Sequence, residues 1–413
     1  LYDVAIIGAG PAGSHLAATL SAARHEVLVI DQNDAIGDPV CCTGIIGTDC
    51  VTSYSIEDEL VYRWASSAKL FSPNGRMVPI ARPEPQAAMV DRARLNESLA
   101  MRAEHHGAEY ALNTELLGVR VHQNGVTIDV ENHQATSSFR ARAIVLATGF
   151  VPARLDALRL GRVADATLGA HAEVIAPDVD EVEVYTGRRF APGSFAWLAP
   201  STPGRALVGL MTRRTPDACM DRFLSFLITN GKVQRVCGEP SYRAIPLSPL
   251  PRTYGERLLV VGSAAGQVKP ITGGGVYYGL LCADIAAEHL QQALDADDLS
   301  QRTLSAYERE WKRRIGSELR TGSWARKVYE HLNDKQIERL FHVTVSSGLL
   351  EELQTAEDLS FDWHDGFVTR AIGSSAILKA LAAVSLPSIL ADRLVGSTRA
   401  ENTAGNASSA ASA

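Results

Sequence analysis

Residues 2–31, YDVAIIGAGPAGSHLAATLSAARHEVLVID, constrain the fold more than any other stretch. The apolar run Val4 to Ile7 reads as a buried strand. Glycines at 8, 10 and 13 follow in GxGxxG spacing. A small-residue amphipathic helix comes next, then a second apolar strand, Val27 to Ile30, ending on Asp31. Gly8 makes a tight turn, Gly10 leaves room for a diphosphate to approach the backbone, and Gly13 lets the helix lie close to the sheet. Ala12 belongs to the same loop. The helix N-terminus offers free N–H groups to the phosphates, and Asp31 can accept both hydroxyl protons of a ribose. A strand, loop, helix, strand and acid in this order predict a Rossmann-type dinucleotide unit.

A second loop indicates which dinucleotide. Residues 258–290, LLVVGSAAGQVKPITGGGVYYGLLCADIAAEHL, read as a strand, a glycine-rich loop and a long apolar helix starting near Gly275. A nicotinamide site has no use for a second such loop. A two-part FAD site does, with one loop for the ADP half and one along the ribityl chain and flavin ring. Gly273, Gly274 and Gly275 would let backbone approach the ring, and the helix N-terminus would favour the anionic reduced flavin. AIVLATG, residues 143–149, reads as a buried strand ending at Gly149. A helix is predicted from Arg92, with Leu95, Leu99 and Ala103 on one face. Arg92 either reaches the cofactor or makes a surface salt bridge.

Composition narrows the class. The 413 residues allow two domains, and a formal charge of −7 argues against a nucleic-acid partner. The six cysteines show no CxxC spacing and no histidine cluster completes a metal set, so no metal is expected. The expected setting is reducing and cytoplasmic. No secretory leader is read, and no apolar run reaches the ~18 residues of a membrane span. Residues 376–395, interrupted by Lys379, Pro387 and Asp392, read first as an amphipathic packing helix broken near Pro387. Peripheral contact with a membrane is the second reading of this stretch. Residues 397–413 are small and polar, and read as disordered.

These residues resemble the FAD-dependent oxidoreductases related to p-hydroxybenzoate hydroxylase. Within that group the chain is similar to the geranylgeranyl reductase family, from residue 2 to about 320. Two motifs carry the resemblance. PxxCxG matches Pro39, Cys42 and Gly44. [YF]xWxFP followed by glycine matches Phe195, Trp197, Pro200 and Gly209. The chain departs from the pattern twice. Ala199 stands where the family has Phe, which implies a wider channel wall. The loop reads GSAAG from Gly262, so Ser263 replaces the family's ribityl-binding Asp. A serine hydroxyl still donates and accepts, without charge.

The resemblance implies an α/β fold: a Rossmann-type FAD-binding domain, an inserted antiparallel-sheet substrate domain and a helical C-terminal region. The expected FAD domain is discontinuous, over 1–50, 91–154 and 252–299. The substrate domain takes 51–90 and 155–251, and the helical region 300–396. The implied reaction saturates isolated C=C bonds of a long apolar prenyl chain. Its carrier would be an isoprenoid lipid, a chlorophyll side chain or a quinone tail. Cys42 would face the flavin and Cys41 would point away. Cys42, Tyr277 or a water would be the proton source. Trp197 would stabilise positive charge. Phe195, Trp197, Pro200, Gly209 and Tyr277 would stand along the substrate, and Leu207 and Met211 are further lining candidates; ordinary sheet core is the other reading of Phe195, Leu207 and Met211. No separate nicotinamide domain is read, so electrons would come from NADPH bound transiently or from reduced ferredoxin.

Three other readings stay open at this point. FAWLAP also resembles a degraded halogenase box, and Lys69 lies in the region where such enzymes place a lysine, so an FAD-dependent monooxygenase or halogenase of the same superfamily is one alternative. A prenyl-binding protein without turnover would keep the tunnel alone. The basic positions Lys312, Arg313, Arg314, Arg320, Arg326 and Lys327 read as a solvated helix face, with a diphosphate or lipid head group as the alternative partner.

Overall fold

The structure, a computed structural model, describes residues 1–37, 42–132, 135–151, 160–375, 377 and 379. Pro39 and Cys41 lie outside the described residues, as does most of 376–395 and all of the tail.

The opening apolar strand, Tyr2–Ile7, sits in the middle of an eight-stranded sheet. Val4 aligns with Val27 on one side and with Ala143 on the other, both in parallel register. Strands buried on two faces read as unbroken apolar runs, and Val4, Ala5 and Ile6 are fully buried. Glu109–Ala111 and Leu258–Val260 extend the parallel part. Strand Ala135–Leu146 is longer than its parallel neighbours. Its first half turns outward and pairs antiparallel with Gly125–Asn132, which pairs in turn with Glu115–His122.

Helices cover this sheet. Pro11–Ala22 and Val276–Asp295 pack together, with Leu16, Leu20, Tyr278 and Leu290 in a common core. Helix Arg92–His105 buries Leu95, Leu99 and Ala103 as its spacing predicts. Asp91 caps it by accepting the Arg94 N–H at 3.1 Å.

A second sheet has seven strands in the order Arg235–Pro246, Ala166–Ile175, Arg205–Thr212, Phe195–Pro200, Val182–Thr186, Ser67–Phe71, Met77–Ala81. Its back is closed by helix Pro216–Thr229, whose Met220, Phe223 and Leu227 meet Ala172, Leu198, Val208 and Leu210. One pairing corrects the antiparallel expectation: Val182–Thr186 runs parallel to Ser67–Phe71. The chain between them passes through the first sheet, so the return enters from the same end. A small third sheet, Ile45–Gly47, Ala87–Val90 and Val61–Ala65, lies over one end of the second.

The C-terminal region is helical, beginning with the 31-residue helix Gln301–His331. Ser300 caps it through the Thr303 N–H, as its sequence predicts. Three of the basic positions here are satisfied locally: Lys312 by Glu308, and Arg313 and Arg314 by Glu310. Arg326 is buried 2.7 Å from Glu330. Among the described residues no helix is long and apolar enough to cross a membrane.

Candidate active site

The first glycine loop is fixed by backbone crowding. Gly8 has φ +114°, and a Cβ there would sit 2.4 Å from the Ala147 carbonyl oxygen. A Cβ on Gly13 would sit 2.0 Å from the Gly8 oxygen. Gly10 differs, because a Cβ there would meet nothing within 4 Å. Its open side lies at the N-terminus of helix Pro11–Ala22, which no side chain caps. Asp31 ties the loop down: Oδ2 accepts the Ala9 N–H at 2.7 Å and Oδ1 the Asn33 N–H at 2.9 Å. A carboxylate has about four acceptor positions, so it retains capacity for a ribose. The sequence reading gave Asp31 only the ribose; the structure adds the loop contact.

The second loop locks onto the first through small residues. Gly262 has φ +66°, and a Cβ there would lie 3.1 Å from the Ala12 Cβ. Ala12 also faces Gly279, which explains why a small residue stands at position 12. Gln267 holds the loop by accepting the Gly262 N–H at 2.7 Å and donating to Tyr307 Oη at 2.8 Å. Ser263 points its hydroxyl at Gly275, 3.0 Å from where a Cβ would be. Helix Val276–Asp295 then starts without a side-chain cap, so its first N–H groups are available to a ligand. Gly149 lies three residues beyond the end of strand Ala135–Leu146, at φ +67°, and a Cβ there would also meet nothing within 4 Å.

Arg92, the first residue of helix Arg92–His105, lies against the Cys42 segment. It is buried, and its Nε and Nη1 have no hydrogen-bond partner. Burial removes the surface salt-bridge reading, and an orphaned guanidinium calls for an anion. Its Cγ would lie 3.1 Å from a Cβ on Gly44, which has φ +75°. The Gly44 N–H donates to Cys42 Sγ at 3.4 Å. Between them Thr43 accepts the indole N–H of Trp197 at 2.7 Å.

Trp197 lies over its cross-strand partner Gly209, where a Cβ would be 2.2 Å from Cζ2. Phe195 stands on the same face, its ring 5.7 Å from the indole. Met211 follows on the next strand, and its sulfur would be 2.8 Å from a Cβ on Gly273. The front of the second sheet therefore meets the second glycine loop. Pro200 ends the Trp197 strand and is buried.

The structure bears on three further expectations. Ala199 does not widen a channel, because it is fully buried against Met89 and Val182 of the surrounding cluster. Lys69 does not face Trp197. It aligns with Glu183, whereas Trp197 aligns with Val184, so the two point to opposite faces. Lys69 instead pairs with Glu181 at 2.8 Å. Tyr277, at the start of helix Val276–Asp295, meets the rings of Tyr54, Tyr278 and Trp363.

The structure adds residues that sequence reading passed over. Thr43 is one. His171 is another: it aligns with Gly209 on the same face as Trp197, and its Nε2 is buried without a partner. Burial holds its imidazole below the usual pKa, against a smaller opposing pull from Glu173. No pattern of spacing marks either residue. Cys50, by contrast, is fully buried, and burial and then Asp362 push its thiol up to about 12.

These features fit FAD. The open side of Gly10, the orphaned Arg92 and the two uncapped helix N-termini supply the anion-binding groups that a diphosphate requires. The known proteins agree. Residues 3–344 match the family model described as Lycopene cyclase protein. The chain is 32% identical to a digeranylgeranylglycerophospholipid reductase 2 of Methanothermobacter thermautotrophicus, over 82% of this chain and 90% of that protein. It is 29% identical to the corresponding reductase of Methanocaldococcus jannaschii, with the same coverage. Among solved structures, a geranylgeranyl bacteriochlorophyll reductase-like protein from Thermoplasma acidophilum superposes with a TM-score of 0.80 at 21% identity. That match covers 95% of this chain and 98% of the other. A flavin-dependent brominase shares the fold at TM-score 0.68 and 15% identity, over 90% of this chain and 98% of its own. By its sequence relatives and family model, and with a fold that agrees, the chain belongs to the geranylgeranyl reductase family of FAD-dependent oxidoreductases.

Proposed function

We propose that this protein saturates isolated C=C bonds in the geranylgeranyl chains of a glycerophospholipid. The observation that carries this reading is the Thr43–Trp197 hydrogen bond next to Cys42, on the sheet face whose Met211 meets Gly273 of the second glycine loop. The relatives' names support the substrate class.

FAD, bound and reduced, supplies the hydride. The protein's own groups hold it and complete the addition. Gly8, Gly10, Gly13 and Arg92 would take the diphosphate, and Asp31 the ribose. Gly149, Gly262 and Ser263 would hold the ribityl part, and Gly273, Gly274 and Gly275 the flavin ring. An isolated alkene accepts hydride poorly, so protonation has to accompany it. The Cys42 thiol would give its proton to one alkene carbon, and the thiolate left behind would regain a proton from solvent; with the hydride that the cofactor would supply, each bond gains two hydrogens. Positive charge builds at the more substituted carbon, where the indole face of Trp197 stabilises it. Phe195, Met211 and Leu207 offer an apolar wall. The free Nε2 of His171 is a polar point on that wall.

The reading is tested by anaerobic reduction followed by the lipid. Reoxidation of the flavin, with two mass units gained per bond, is the expected result. A flavin that reoxidises only with oxygen would refute it. Running the reduction with NADPH and with reduced ferredoxin assigns the donor. Retention on vesicles of the substrate lipid tests peripheral membrane contact.

A further inference from the structure

The loop that carries Gly273 to Gly275 is held from outside its own domain. Lys269 closes its base: the Lys269 N–H donates to the Gly274 carbonyl at 3.0 Å, and the Lys269 carbonyl accepts the Gly273 N–H at 2.9 Å. The Lys269 side chain is buried and reaches Asp362 Oδ1 at 2.5 Å. The side chains are only 5% and 1% exposed. The rings of Phe361, Tyr278 and Tyr277 surround the ammonium at 5.2, 5.8 and 6.0 Å.

Asp362 belongs to the C-terminal helical region, 93 positions away in the chain. Its second oxygen accepts the Cys50 N–H at 3.2 Å. The carboxylate also fills the space left by Gly47, where a Cβ would lie 2.1 Å from Oδ2. One carboxylate thus joins the glycine loop, the helix Thr48–Ser53 that follows the Cys42 turn, and the C-terminal segment. Trp363 adds ring contacts to Tyr277 and Tyr278 at 5.8 and 5.7 Å. Glu318 fastens the far side by accepting the His364 N–H at 2.9 Å.

A buried ion pair is a poor way to gain stability, since an apolar pair of equal volume does as well or better. What it does provide is a fixed geometry. We propose that Lys269 and Asp362 are a positioning pair for the cofactor, which makes segment Phe361–His364 part of the flavin site. The pair sets the backbone of the glycine run and the start of helix Val276–Asp295 against the flavin ring. Being neutral overall, it does so without adding net charge beside the cofactor. This rests on the flavin reading of the site.

The test is FAD binding by the full-length apoprotein, followed by flavin fluorescence, with the visible spectrum of the bound form. Asp362→Asn is the main variant. The expected result is a Kd raised at least tenfold and a shifted visible band, in protein that circular dichroism shows to be folded. Asp358→Asn is the control, because it breaks only the exposed pair with Arg370 on the same segment; its Kd should equal that of the parent. An unchanged Kd and spectrum in folded Asp362→Asn, with only a lower Tm, would overturn the proposal and leave the pair structural. If Asp362→Asn does not fold, Lys269→Met with Asp362→Leu removes both charges at similar volume, and the same two readings apply to it. A parent chain that takes up no FAD would instead refute the flavin reading itself, and the inference with it.

Discussion

The indole of Trp197 lies on Gly209 so closely that any side chain at 209 would occupy the position of its six-membered ring. The two residues are 12 positions apart, opposed on adjacent strands, and the glycine makes the platform on which the ring rests. Gly209→Ala should therefore move the indole off Thr43. Overpacking of this kind costs about 1–3 kcal/mol. FAD affinity should stay within twofold, while prenyl reduction should fall at least tenfold. Thermal unfolding, a flavin titration and a single-turnover assay together check this. Loss of FAD binding in the folded variant would show that the platform serves the cofactor instead.

Cys42 is half-buried, with Gly44 N–H as its one described hydrogen-bond donor. If it delivers the proton, Cys42→Ala should leave chemical reduction of the flavin and its reoxidation by oxygen unchanged. Reoxidation by the prenyl lipid should slow by about a hundredfold, within the range general acid catalysis supplies. Equal slowing of the oxygen reaction would point to a displaced flavin.

Arg92 gives opposite signs with and without cofactor. Its buried guanidinium has unsatisfied nitrogens, and an unmet buried donor costs about 1–3 kcal/mol, more when charged. Arg92→Met should unfold at a higher temperature than the parent without FAD. With saturating FAD the order should reverse, because the variant loses the diphosphate contact. Two melting curves per protein, with and without FAD, decide it.

What the sequence revealed and concealed follows from distance along the chain. The first strand, the glycine spacing, the helix from Arg92 and the Ser300 cap each depend on residues within a few positions of one another. Their periodicity therefore displayed them. Thr43 with Trp197, and Lys269 with Asp362, meet across 154 and 93 positions, and neither partner has a spacing that announces the other. Lys69 shows the same limit in reverse: its place in the chain suggested a role, but strand alternation turned it to the other face. Ala199 looked like a lost wall until Met89, on a strand of another sheet, proved to be packed against it.

A final prediction concerns the corner where the C-terminal region docks. Burial, with the nearby Asp365, raises the Glu318 pKa to about 7. Burial, with the Lys269 charge, lowers that of His364 to about 4. Glu318 is thus protonated in the folded protein at a pH where it is ionised in the unfolded chain. Its stabilising contribution is full below about 4.5 and is lost as pH rises through about 7. His364 behaves oppositely: its contribution is full above 6.5 and is lost as pH falls through about 4. Over the shared window the two slopes oppose each other, so the parent should show little net pH dependence from this corner. Glu318→Gln should make stability rise with pH between 4.5 and 6.5, by up to about 1.4 kcal/mol per unit. His364→Gln should make it fall across the same range. Denaturant unfolding at four or five pH values checks both signs, and parallel slopes in the two variants would show that these groups do not titrate with folding.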